Sequence, residues 1–240
     1  MRTAIAPFRR FSSLTVSNVY LVDGGPGSRW LVDCGHPLER WLLLAELRAS
    51  GLRPSELSGV LLTHHHSDHA GNARYLRERF GLKVYAHCDD ARTLEGKGPP
   101  PLVDPPGSSL LERAFLAVEA RFPARTRVDG WLEEGESVAG LEVHAVPGHT
   151  EGSVLYRHEA TRTLLTGDTV LTALPPLTLR AGLTLAHPAY AVDLARSYAS
   201  LKAFHDAGHA YDNLLAGHGK PLMGSASEKV RELLDVALGP

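Results

Sequence analysis

The chain has 240 residues, 43% hydrophobic and 22% charged, with a formal net charge of −2. That balance fits one globular domain spanning residues 1–240, and it excludes a disordered polyelectrolyte or an electrostatic nucleic-acid binder. Apolar runs fall short of the ~18–20 residues that cross a bilayer, and Arg2, Arg9 and Arg10 flank no secretion-signal core, so a cytoplasmic protein without a membrane partner is expected.

Asn18–Val22 and Trp30–Val32 read as strands joined by the turn Gly24-Gly25-Pro26-Gly27, a hairpin. Pro37 opens an amphipathic helix whose apolar positions Leu38, Trp41, Leu42, Ala45 and Ala49 recur at helical spacing until Gly51. A strand at Val60-Leu61-Leu62, a histidine-rich loop, a helix near Asn72–Phe80 and a strand from Lys83 continue an α/β alternation. Pro99, Pro100, Pro101, Pro105 and Pro106 make residues 96–109 a loop, either a lid over a site or a surface insertion, before a helix near 110–122. Strands are then expected at 127–132, 138–146, 154–157 and 164–165. A helix over 193–206, a strand over 213–216 and a helix after Ser225 close the chain. The apolar run Val170–Pro176, continued by Leu177, Leu179, Leu183 and Leu185, suits an acyl-binding wall, a homodimer surface or plain core packing.

Cys34 and Cys88 are too few for a disulfide framework and read as reduced thiols, whereas 13 histidines stand out. The segment Thr63-His64-His65-His66-Ser67-Asp68-His69 follows an apolar strand. Extended backbone places alternate side chains on one side, so His64, His66 and Asp68 are expected to converge, with His65 turned away and His69 reaching a neighbouring position. Imidazole nitrogens and carboxylates suit zinc and similar divalent ions. The same pattern of apolar strand, glycine and polar ligand recurs at Pro147-Gly148-His149, Thr166-Gly167-Asp168 and Ala216-Gly217-His218. His36, His87, His144, His158, His205 and His209 read as surface or core residues, and Tyr190 as a candidate substrate contact.

With these motifs the chain resembles the metallo-β-lactamase-fold hydrolases, whose first motif His-x-His-x-Asp-His is matched at His64, His66, Asp68 and His69. The resemblance runs from about Tyr20 to His218 and implies an α/β (α+β) fold, a four-layer αββα sandwich with metals at one end of two packed sheets. It also implies two divalent ions. One would be held by His64, His66 and His149, the other by Asp68, His69 and His218, with Asp168 bridging and Asp33 orienting a ligand histidine. Zinc is the first choice, with iron or manganese left open.

Two ions about 3.5–4 Å apart can share a hydroxide, so the expected chemistry is its attack on an ester-like acyl carbon, with Asp68 orienting it and handling its proton. No second acid is evident, which favours a thioester, whose thiolate leaves with a pKa near 8.5, or an activated lactone. The likeness to glyoxalase II is strongest in the motifs, but only 22 residues follow His218, fewer than that enzyme's glutathione-binding helical region. Asp168 speaks against a true β-lactamase. A mononuclear iron persulfide dioxygenase-type oxidoreductase and a phosphodiester hydrolase are the alternatives on the same fold.

Overall fold

The computed structural model describes residues 4–11, 14–98, 107–174 and 180–239. The first half runs β1 (Ala4–Ile5), β2 (Phe8–Arg10), β3 (Tyr20–Asp23), β4 (Arg29–Val32), α1 (Arg40–Ala49), β5 (Gly59–Leu61), α2 (Ser67–Ala70), α3 (Ala73–Phe80), β6 (Lys83–His87), α4 (Cys88–Leu94) and α5 (Leu110–Arg121). The second half runs β7 (Gly130–Leu132), β8 (Ser137–Val138), β9 (Leu141–Ala145), β10 (Val154–His158), β11 (Thr163–Gly167), β12 (Val170–Leu174), β13 (Arg180–Leu185), α6 (Leu194–Asp206), β14 (Asn213–Ala216) and α7 (Ala226–Leu238).

Strands β1 to β7 form one seven-stranded sheet in chain order, and a five-stranded sheet has the order β14-β11-β10-β9-β8. Because side chains alternate across a strand, each sheet has two buried faces. On the first sheet Leu21, Leu31, Val60 and Val84 pack against Leu43 and Leu47 of α1 and Leu76 of α3. Tyr20, Val22, Val32 and Leu61 face the other way and meet Val143, Val154, Tyr156 and Leu165 of the second sheet. The far side of the second sheet, through Leu155, Leu164 and Leu214, packs on Leu201 and Phe204 of α6 and Val230 and Leu234 of α7. Helix, sheet, sheet, helix is the αββα sandwich that the motifs imply.

The strand directions decide where a site can form. β4 and β5 are parallel. β9 and β11 each run antiparallel to β10, and β14 is parallel to β11, so β9, β11 and β14 share one direction. The loops after these strands carry Asp33, the histidine-rich segment, His149, Asp168 and His218, and rigid strand ends hold such groups more precisely than free loops do.

Several sequence expectations change in detail. The expected strand over 138–146 is a tight hairpin of β8 and β9, because Ala139 and Gly140 both take positive φ, 57° and 78°. β7 begins only at Gly130. The apolar run after Asp168 is the hairpin of β12 and β13, with Val170 and Leu185 buried against α6 and α7, so these two residues serve as core. Residues 99–106 of the proline-rich loop, and 175–179 of the apolar run, lie outside the described residues. Helix α5 starts where the sequence places it, with Ser109 and Glu112 capping each other's backbone N–H groups. Among the described residues, no helix is long and apolar enough to cross a membrane.

Candidate metal centre

The chain leaves β5 extended through His66 and turns into α2 at Ser67. This corrects the expectation that His64, His66 and Asp68 share one side of an extended loop. The helical turn instead sets Asp68 and His69 side by side, with the His69 ring 4.2 Å from that of His64, and three overlapping ligand groups result. Ligand atoms of His64, His66 and His149 lie within 4.8 Å of one another, as do those of Asp68, His69 and His218, and those of His64, His69 and Asp168. His65 does point away, its Nδ1 lying 3.1 Å from Asp90 Oδ1. Asp90 is buried and also accepts from Thr150 Oγ1 at 2.8 Å and Gly152 N at 2.9 Å, which ties the loop after β9 to α4.

In the first group, His66 Nδ1 and His149 Nε2 face each other at 3.0 Å. That spacing is close to the ~3.4 Å expected of two nitrogens each about 2.0–2.1 Å from one tetrahedral ion. Burial lowers the His66 pKa to about 4 and that of His149 to about 3, so both rings are neutral and offer lone pairs. His64 uses Nδ1 in a 3.0 Å contact with Thr63 Oγ1, and its buried Nε2 has no hydrogen-bond partner. A buried imidazole nitrogen left open beside two converging ones fits a divalent cation and is costly otherwise.

In the second group, Asp68 Oδ2 lies 3.2 Å from His218 Nε2 and 3.5 Å from His69 Nε2. Asp168 spans the groups, with Oδ1 at 3.2 Å from His69 Nε2 and Oδ2 at 3.2 Å from His218 Nε2 and 3.9 Å from His149 Nε2. Burial opposes charge on these side chains, but His69 and His218 hold both carboxylates well below their usual range. Asp33 lies behind His69, its Oδ2 2.8 Å from His69 Nδ1, so His69 presents Nε2 to the cluster.

Backbone contacts fix these loops. Asn72 Nδ2 donates to the carbonyls of Cys34, Gly35 and His36 at 2.9, 3.1 and 3.0 Å, holding the turn after Asp33. Asn18 Nδ2 and Tyr20 Oη both donate to Ala216 O at 2.8 Å, bracing the loop of His218 from the opposite sheet. Gly217 allows close approach: a Cβ there would sit 2.3 Å from Asp168 Oδ1 and 2.7 Å from His69 Cε1.

Residues 13–218 match the family described as the metallo-beta-lactamase superfamily. The chain belongs to this superfamily. It is 33% identical to the probable metallo-hydrolase YybB of Bacillus subtilis (strain 168) over 60% of this chain and 58% of that protein. It is 34% identical to a hydroxyacylglutathione hydrolase of Anaeromyxobacter dehalogenans (strain 2CP-C) over 64% of this chain and 46% of that one. The chain therefore spans less than two thirds of the length of these two curated relatives. The crystal structure of TTHA1623 in a di-iron-bound form covers 93% of this chain and 94% of its own, with a TM-score of 0.60 and 28% identity.

In this superfamily member five members of the cluster, His66, Asp68, His149, Asp168 and His218, line a cavity of about 320 Å³. Leu38, Phe115, Leu116, Val118 and Leu171 line the same space, and among the described residues no Lys or Arg lines it. Tyr190 is there as well, with a buried hydroxyl that has no hydrogen-bond partner and a pKa raised by burial to about 12. Sequence reasoning missed Glu119, which comes from α5, lines the cavity and accepts from Ser67 N at 2.9 Å and from Ser67 Oγ. Burial raises its carboxyl pKa, with Asp68 adding to the shift. It also set aside His36, which lines the cavity with an unpartnered Nε2. A single Glu on a half-exposed helix carries no signal of its own, because such residues ordinarily lie in solvent.

Proposed function

We propose that the chain is a hydrolase that uses two divalent cations, zinc foremost with iron or manganese as alternatives, to cleave an ester-like acyl bond of a small molecule, a thioester or a lactone. The observation that carries this reading is the convergence of two ligand groups, with Asp168 near both, against a largely apolar cavity that His66, Asp68, His149, Asp168 and His218 help to line. His64, His66 and His149 would hold one ion, Asp68, His69 and His218 the other, and Asp168 would reach both. Such a pair supplies a water of lowered pKa and polarises the acyl oxygen.

The chain's own residues account for the remaining steps. Asp68 lines the cavity beside His218 and is placed to accept a proton from the attacking water and pass it to the leaving group. Tyr190 lines the same space and has a buried hydroxyl without a partner among the described residues, a group that would donate to an oxygen of the substrate after a small side-chain shift. Leu38, Phe115 and Leu116 cover an uncharged acyl group and keep water away from it. The hydroxyacylglutathione hydrolase relative supports a thioester, while the absence of Lys and Arg from the lining among the described residues favours an uncharged acyl portion.

The test is turnover of acyl thioesters of glutathione and coenzyme A, followed by thiol release, and of lactones, followed by acid release, each with and without chelator. Chelator-sensitive cleavage of either class is expected. Failure of both classes with two ions bound would overturn the reading. Phosphodiester cleavage, or oxygen uptake on a persulfide with a single iron, would then replace it.

A further inference from the structure

Glu134, Glu142, His144 and His209 meet away from the cluster, on the helix-facing side of the second sheet. In β9, Leu141 and Val143 face the first sheet, so Glu142 and His144 point the other way, toward α6. His144 is 3% exposed, and its ring packs 4.9 Å from that of Phe204. Its Nδ1 lies 2.9 Å from Glu134 Oε1, while Glu134 Oε2 accepts from Ala145 N at 2.6 Å. An ionised carboxylate only accepts, so Nδ1 carries the proton of that bond, and Nε2 of a neutral ring is a lone pair. This buried Nε2 has no hydrogen-bond partner, and Glu142 Oε2, another acceptor, lies 3.3 Å away. Glu142 Oε2 is partly exposed and already accepts from Arg157 Nε at 2.9 Å, so the unmet group is the buried His144 Nε2, a lone pair that suits a cation.

His209 completes the group. Its ring lies 4.3 Å from that of His144 and stacks on Phe204 at 4.9 Å. Ligand atoms of Glu142, His144 and His209 fall within 4.8 Å of one another. We infer that Glu142, His144 and His209 form a second, separate site for a borderline divalent transition-metal ion of the zinc type. Two imidazole nitrogens and one carboxylate oxygen are the donor set such an ion takes. Glu134 fixes the tautomer of His144 as an outer carboxylate does for a ligating histidine. Arg157 Nε holds the Glu142 carboxylate at 2.9 Å, and with neutral imidazoles the group of Glu134, Glu142 and Arg157 still carries a net negative charge. Burial and the neighbouring His144 keep the His209 imidazole toward its neutral form. Glu142 and His209 are half-exposed, which leaves an entry path from solvent.

The test uses the full chain, stripped with chelator, dialysed against zinc and assayed for zinc by mass spectrometry. Wild type is expected to hold one zinc equivalent more than either His209→Ala or Glu142→Gln, with far-UV circular dichroism and turnover unchanged. Equal zinc content in wild type and both variants overturns the site. A readout without substitution is the imidazole ¹⁵N spectrum, in which zinc is expected to move the His144 and His209 ring nitrogens. Unmoved resonances, or a His144 ring carrying protons on both nitrogens in the presence of zinc, show a proton between the carboxylates instead and overturn the proposal.

Discussion

Asp33 Oδ2 lies 2.8 Å from His69 Nδ1, and the same carboxylate accepts from Thr63 N and Thr63 Oγ1, each at 2.8 Å. One side chain thus joins the end of β4, the end of β5 and a member of the metal cluster. Asp33 has φ of 60°, a conformation Asn also tolerates. Asp33→Asn should keep the fold while removing the charged acceptor that fixes the His69 ring. We expect affinity for the second ion to fall by about 10–100-fold, as for other outer partners of ligating histidines. Chelator competition measures it, and wild-type affinity would contradict the role.

Gly217 gives a purely steric prediction. Gly217→Ala places a methyl group 2.3 Å from Asp168 Oδ1 and 2.7 Å from His69 Cε1, so at least one of the two side chains must move. Displacing a reacting constellation by about 1 Å costs on the order of 10²-fold in rate. The variant should lose kcat/KM on that scale with far-UV circular dichroism intact. Full activity would mean that Asp168 and His69 need not hold these positions.

Glu119 links helix α5 to the first residue of α2 through Ser67 N and Oγ. Hydrogen bonds to a charged acceptor contribute about 1.5–3 kcal/mol each when partly buried, and Glu119 is partly exposed, so the lower end applies. Glu119→Ala should lower the unfolding midpoint and open the segment 107–121 to proteolysis before the rest of the chain. Unchanged cleavage kinetics of that segment would show that α5 is held by its apolar face alone.

His205 provides a pH test remote from the cluster. Its Nε2 lies 2.9 Å from Tyr211 Oη, and burial lowers its pKa to about 4, against about 6.5 in an unfolded chain. The unfolded state therefore binds the extra proton between these values. The stabilisation is whole above pH 6.5 and is lost as pH falls toward 4. The urea midpoint of wild type should drop between pH 7 and 5 more steeply than that of His205→Gln. Parallel profiles would contradict a neutral, buried His205.

The clustering of the candidate ligand residues was legible because each follows an apolar strand, and strands of like direction deliver their following loops to one edge. Asp33 came from the family resemblance, which implies a residue that orients a ligand histidine at the end of Leu31-Val32. Extended-chain spacing alone groups Asp68 with His64 and His66, since the switch to helix at Ser67 leaves no mark in so polar a segment, whereas the family resemblance implies the grouping of Asp68 with His69 and His218. The sequence predicts a helix near 110–122, but the place of Phe115, Leu116 and Val118 in the cavity lining is a tertiary fact that no local pattern encodes. The pairing of β12 with β13 was not legible because Val170–Pro176 and the leucines after it read as one apolar run. His144 looked like any histidine on a strand. Its open Nε2 depends on Glu134, ten residues earlier and brought alongside by the β8–β9 hairpin.

The most direct test of the two-ion account is anomalous diffraction at the zinc edge from zinc-loaded crystals of the full chain. The account predicts two peaks about 3.5–4 Å apart, one among His64, His66 and His149 and the other among Asp68, His69 and His218, with Asp168 reaching both. A single peak in that cluster under saturating zinc, or none, would contradict it.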